Sequence, residues 1–116
     1  MIAVIFEVAP TEAGRDRYFE LAAGLAGRLA GMDGFVSIER FQSLADPGKL
    51  LSLSFWRDEA AVAAWRREEA HRAAQHEGRG GVFRDYRLRV AQVVRDYGLD
   101  ARAEAPPDAP GRTRHG

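Results

Sequence analysis

The sequence predicts a ferredoxin-like α+β fold: a βαββαβ chain forming a four-stranded antiparallel sheet with both helices on one face. Three observations predict it. Four apolar runs with strand periodicity alternate in the required order with two long runs of helical periodicity. A turn sequence, "ADPG", joins the second and third strands. The length of 116 residues suits one domain with its own core.

The first strand is "IAVIFEV", β-branched and aromatic, with Ile2, Val4, Phe6 and Val8 on one side and Ala3 and Ile5 on the other. Pro10-Thr11-Glu12 then starts a helix, with Thr11 as N-cap and Glu12 near the positive end of the helix dipole. Tyr18, Leu21, Ala22, Leu25 and Leu29 recur at helical spacing, and Gly31 to Gly34 supply the stop, so the helix is expected over about residues 12 to 30. "GFVSIERFQS" sets Val36 and Ile38 against Phe35, Glu39 and Phe41. "KLLSLSFWR" sets Leu51, Leu53 and Phe55 against Ser52, Ser54 and Trp56. Asp46-Pro47-Gly48 makes these two strands a hairpin.

Asp58 is the expected N-cap of the second helix, "EAAVAAWRREEAHRAAQ", which is rich in strong helix formers and ended by Gly78. "VFRDYRLRVAQVVRDYG" reads as a long last strand with Tyr86, Leu88, Val90 and Val94 on one side and Arg87, Arg89, Ala91 and Val93 on the other. The domain is expected over residues 1–97. Residues 98–116 have the Pro, Ala and charge content of a flexible tail, or of an arm that orders on a partner subunit. Because the first and last strands are apolar on both sides while two helices cover one face, the second face calls for a cover, most simply the same face of a second copy in a twofold homodimer.

Composition narrows the partners. Basic and acidic residues balance at 17 each, so no basic surface announces nucleic acid. The absence of Cys removes disulfides, thiolate metal sites and Cys nucleophiles together. The opening "MIAVIFEVAP" is too short for a membrane span and reads as a strand, which leaves no membrane partner and a cytoplasmic location as the expectation. A metal site is not expected either. His71 and His76 are five apart, not at the one-turn spacing that puts two imidazoles on one helical face, and no third ligand is evident.

Run together, "SFWRDEAAVAAW", the His a few residues after that Trp, the "AQ..GR" helix end and the last strand "F.DYR.RV..V.R.YG" resemble the antibiotic biosynthesis monooxygenase domain family. The resemblance covers Met1 to about Tyr97. It implies a dimeric α/β barrel and a range of chemistries: cofactor-independent oxygenation of hydroxylated aromatics or quinols, haem degradation, or no known activity. Fold does not choose among these. A cofactor-independent oxygenase needs an apolar cavity, a base and donors that steady an anion, because its substrate, once deprotonated, itself gives an electron to dioxygen.

His71 is the candidate base, since imidazole titrates near pH ~6.5. Trp65 is a candidate pocket wall, and Gln75, one helical turn from His71, a candidate for orienting the imidazole or a substrate oxygen. Phe6, Phe35, Phe41, Phe55 and Phe83 offer stacking walls, Arg79 a partner for an anionic ring oxygen, and Tyr86 a second proton carrier. Ordinary structural roles compete with each. Trp65 reads equally as a core anchor, His71 as a solvated helix residue and Arg79 as a cap of the helix carbonyls.

Haem is the alternative cofactor. In the haem-degrading relatives the axial His lies about ten residues after a Trp like Trp65, a place that Gln75 holds here, with His76 next to it and His71 a turn earlier. Adjacent helical positions differ by about 100°, so His76 takes that place only with a shift in register. A third reading is a dimeric small-molecule-binding module with no turnover.

Overall fold

The computed structural model describes residues 1–75 and 83–110; the side chains of residues 70–75 and of Phe83 are not among those described. The elements are β1 (Ile2–Pro10), α1 (Arg15–Ala30), β2 (Phe35–Gln42), β3 (Leu50–Trp56), α2 (Glu59–Gln75) and β4 (Phe83–Gln92). The strands form one sheet in the order β2-β3-β1-β4, every neighbouring pair antiparallel. This is the ferredoxin-like arrangement expected from the alternation of periods.

Local chemistry explains the boundaries. Thr11 behaves as an N-cap, its Oγ1 accepting from the Gly14 backbone N–H at 2.9 Å. The turn it closes is not yet α-helical, however, and the regular helix begins only at Arg15, three residues later than expected. The reversal after α1 depends on Gly34, whose φ of +83° lies in the left-handed region. A Cβ there would stand 2.6 Å from the Ala61 Cβ, so only glycine lets β2 start this close to α2. In the hairpin, Asp46 Oδ1 accepts from Gly48 N–H at 3.1 Å, and Lys49 N–H donates to Asp46 O at 2.9 Å. Asp58 caps α2, its Oδ1 accepting from Ala61 N–H at 2.9 Å.

Register sorts the side chains into two faces. Ile2, Val4, Phe6 and Val8 of β1 sit beside Trp56, Ser54, Ser52 and Leu50 of β3, and beside Gln92, Val90, Leu88 and Tyr86 of β4. This is the helix side. Its core is Ile2, Leu29, Trp56, Ala61 and Val62, with Val4, Leu25, Phe35 and Trp65 packed against it. A second cluster joins Val8, Tyr18, Ala22 and Leu50.

Three further expectations are corrected. In β2 the pairing slips between Phe35 and Ser37, so Phe35 joins Ile38 on the helix side instead of sharing a face with Glu39 and Phe41. The last strand stops at Gln92 instead of running to Tyr97, and Val93 N–H bonds to Met1 O at 2.9 Å as the chain leaves the sheet. The strand with apolar groups on its far side, alongside β1, is β3 with Leu51, Leu53 and Phe55, whereas β4 presents Asp85, Arg87, Arg89 and Ala91 there.

Candidate active site

The helix side of the sheet is covered unevenly. The helices pack over β1, β2 and β3, as the membership of the two clusters shows. The inward-facing residues of β4 lack that cover: Tyr86, Leu88 and Val90 remain 62%, 51% and 43% exposed, although they alternate on the same face as the buried Ile2 and Val8. Beside them on β1 lie Val4 and Phe6, the latter with its ring 5.8 Å from that of Tyr86, inclined by 50°. The result is an apolar groove along β4 and β1 with an aromatic pair at one end.

α2 begins at the Trp56 end and runs back along the sheet. Ala61 and Val62 are buried in the core, and Trp65 packs its ring 6.3 Å from that of Trp56. The guanidinium of Arg28 lies 5.3 Å from the Trp65 ring centroid and donates to Glu69 Oε1 at 2.7 Å, which ties α1 to α2 above the core. Trp65 is therefore fixed by contacts at the closed end. Six positions later on the same helix, at ~100° per residue, the position of His71 is rotated about 120° from that of Trp65. His71 and Gln75 lie in the last turns of α2 with their side chains outside the described residues, as does that of Phe83, the first residue of β4. Arg79 and His76 lie outside the described residues altogether.

The aromatic candidates do not form one wall. Phe6 and Tyr86 meet in the groove, while Phe35 is edge-on to Trp56 at 5.3 Å within the core. Phe41 and Phe55 stand on the opposite face of the sheet, where strand alternation puts them. Two groove residues absent from the sequence candidates, Leu88 and Val90, carried a signal: they alternate with Tyr86. Arg28 carried none, because its partner Glu69 is 41 residues away.

At the closed end an exposed ionic latch joins the α1–β2 and β3–α2 turns. Arg57 donates from both terminal nitrogens to Asp33, at 3.1 and 3.0 Å, and from Nε to Asp58 at 3.0 Å. Hydrogen bonding and the charge of Arg57 hold the Asp33 carboxyl below the usual range. The Asp58 carboxyl is lowered first by the Ala61 N–H bond and then by Arg57. The latch orients the start of α2 and stands apart from the groove.

An uncovered apolar stripe with an aromatic pair can take a small hydrophobic molecule. Comparison with known proteins gives the chain a family. The sequence model of the family described as Antibiotic biosynthesis monooxygenase matches residues 1–77. A Pyricularia oryzae protein named Jasmonate monooxygenase ABM is 50% identical over 94 residues, which make up 81% of this chain and 44% of that protein. The chain thus spans less than half the length of that relative. Among solved structures, Rv0793 from Mycobacterium tuberculosis superimposes with a TM-score of 0.70 at 18% identity, covering 84% of this chain and 98% of the other. The heme-degrader MhuD of the same organism, with two hemes bound in its active site, gives 0.67 at 17% identity over 84% and 100% of the two chains. These two show a shared fold. With the family match covering most of the domain, the chain belongs to the antibiotic biosynthesis monooxygenase family.

Proposed function

We propose that this chain is a monooxygenase that works as a homodimer and oxygenates an electron-rich aromatic or quinol in the helix-side groove, without a dedicated cofactor. The observation that carries the reading is the uncovered stripe Tyr86, Leu88 and Val90 beside Phe6, on the face that elsewhere is buried. Family membership supplies the reaction class.

The substrate supplies every electron. A ring methylene flanked by phenol-bearing rings loses a proton to a base, and the resulting anion passes an electron to dioxygen. The two radicals combine at carbon, and the peroxide so formed takes the proton back from the base. Loss of water then leaves a carbonyl, so that the CH2 and O2 become C=O and H2O. In this scheme His71 takes the proton, Gln75 orients the imidazole or the oxygen, and Arg79 pairs with the anion. Phe6, Phe83 and Tyr86 hold the ring system. Trp65 positions α2 from the closed end. A second copy covers the far face of the sheet, where Ile5, Leu51, Leu53 and Phe55 remain only partly buried.

A second reading follows from the relative that is 50% identical: the substrate is a cyclopentanone carboxylic acid of the jasmonate type. Such a molecule does not reduce dioxygen by itself. Its hydroxylation consumes two further electrons and two protons from an added reductant.

Oxygen uptake separates the two. The first reading expects one O2 consumed per hydroxyanthrone or quinol with no additive, and no Soret shift on haemin titration. Uptake with jasmonate only in the presence of a reductant favours the second. Consumption with neither, or a stoichiometric Soret shift followed by bleaching on reduction, overturns the cofactor-independent reading.

A further inference from the structure

The helix side of the sheet is laid out in rows that cross all the strands. The row through Val8 joins Gln42, Leu50 and Tyr86, and the row through Val4 joins Ile38, Ser54 and Val90. In both, the polar groups on β2 and β3 have partners: Gln42 Nε2 donates to Pro47 O at 2.8 Å, and the buried Ser54 hydroxyl accepts from Trp56 Nε1. The row between them runs Arg40, Ser52, Phe6, Leu88. Its apolar half, Phe6 and Leu88, belongs to the groove. Its other half is polar and unpaired.

Arg40 and Ser52 are both half-buried, and Arg40 Nε is closed to water with no acceptor. Neither side chain has a hydrogen bond or an ion pair among the described residues. A buried donor left unmet costs stability, and one on a charged group costs more. The neighbours in register do not relieve it. Ser52, the cross-strand partner of Arg40, does not accept from it, Gln42 is tied to Pro47, and Glu39 faces the other side of the sheet. An arginine whose stem merely covered the core would carry its whole head into water, whereas here Nε is shut in. Ser52, with the smallest side chain of the row, leaves a low floor between Phe6 and Arg40.

We propose that Arg40, with the Ser52 hydroxyl beside it, is the anion subsite of the groove, and that the substrate is an apolar molecule carrying a carboxylate. The inference rests on the helix-side groove proposed above and adds the polar end of its ligand. Phe6, Leu88 and Val90 take the apolar body. The carboxylate lies over Ser52 and accepts from Nε and one terminal nitrogen of Arg40 together, the planar fork that matches two carboxylate oxygens. A turn of the Arg40 side chain toward the low floor brings Nε to the groove. Neighbouring strands are about 4.8 Å apart, so β4 and β2 are separated by about 14 Å, a span that one or two rings and a carboxylate can cross. No proton or electron moves at this subsite; Arg40 keeps its charge and sets which molecule binds and how it is oriented.

The test is calorimetric binding of two matched pairs to the full chain: a hydroxynaphthoic acid and jasmonic acid, each against its methyl ester, which keeps the body and removes the charge. At least one acid is expected to bind about tenfold or more tighter than its ester, and the pair that shows the preference tells an aromatic body from a cyclopentanone. Arg40→Gln is expected to abolish the preference while leaving the ester within about threefold, with Tm no lower than wild type, because the charge it removes has no partner. Ser52→Val suits a strand, fills the low floor and is expected to weaken the acid about tenfold, which decides the matter should Arg40→Gln not fold. Leu88→Ala reports on the groove itself and is expected to weaken acid and ester alike. Acid and ester bound equally, with both weakened by Leu88→Ala, overturns the anion subsite and leaves the groove standing. An acid preference that survives Arg40→Gln also overturns the subsite, and a fall in Tm in that variant then marks Arg40 as a structural residue. Binding of neither acid nor ester at millimolar concentration, or binding that Leu88→Ala does not change, overturns groove and subsite together.

Discussion

The two ends of the helix-side layer are built from the same pattern and end in opposite states. At the Trp56 end, Ile2, Leu29 and Trp56 are sealed, with Trp56 and Leu29 each 1% exposed. Along β4, residues equally apolar and on the same face are half open. The difference is one of cover. α1 and α2 converge over β3 and β1 at the closed end, tied by Arg28 to Glu69 and by the Asp33, Arg57 and Asp58 latch. β4 is an edge strand outside that roof. A face built entirely like the closed end would be a stable core with no room for a ligand, whereas one built like the β4 end would lack an anchor.

Substitutions that probe this contrast should separate stability from activity. Trp56→Ala removes the indole against which Phe35 and Trp65 pack and strands the Ser54 hydroxyl that accepts from its Nε1 at 3.0 Å. It should cost about 3–5 kcal/mol by chemical denaturation. Gly34→Ala forces an L side chain into the left-handed region and toward Ala61, and should cost roughly 2 kcal/mol or more by the same measurement. If either left stability unchanged, the closed end would not be the anchor of the fold.

Acid should loosen the closed end as well. The lowered carboxyls of Asp33 and Asp58 contribute stability that is fully present above their ordinary value of 3.8 and is lost as pH falls through the depressed folded values. The Tm of wild type should therefore exceed that of Asp58→Asn at pH 7, and the gap should close in acid below about pH 4. A gap that persists there would mean that the carboxylate charge is not what holds the turn.

The smallest effect on stability belongs to the open end. Leu88→Ala, on a residue 51% exposed, should change stability by less than about 1 kcal/mol while raising KM for the proposed aromatic substrate. A large loss of stability with KM unchanged would make the stripe an ordinary part of the core and move the binding site elsewhere.

Much of this was legible in the residues. The alternation in "IAVIFEV", the turn chemistry of Asp46-Pro47-Gly48 and the cap at Asp58 each act within a few residues, so one sequence displays them. The start of α1 was misread by one turn because Thr11 caps equally well a turn that is not yet α-helical. The face of Phe35 was misread because a slip in pairing is decided by the neighbouring strand. For the other aromatics the alternation within each strand was legible, but which side of each strand turns toward the helices was not, and that decides that Phe6 and Tyr86 meet while Phe41 and Phe55 turn away.

By itself, then, the sequence determined the order of elements, the hairpin, both helices and the family resemblance, since these depend on periodicity, propensity and short-range hydrogen bonds. Only the tertiary structure decided which apolar residues were sealed and which left open. Burial is a property of what lies above a residue, and for β4 that depends on where two helices distant in sequence come to rest.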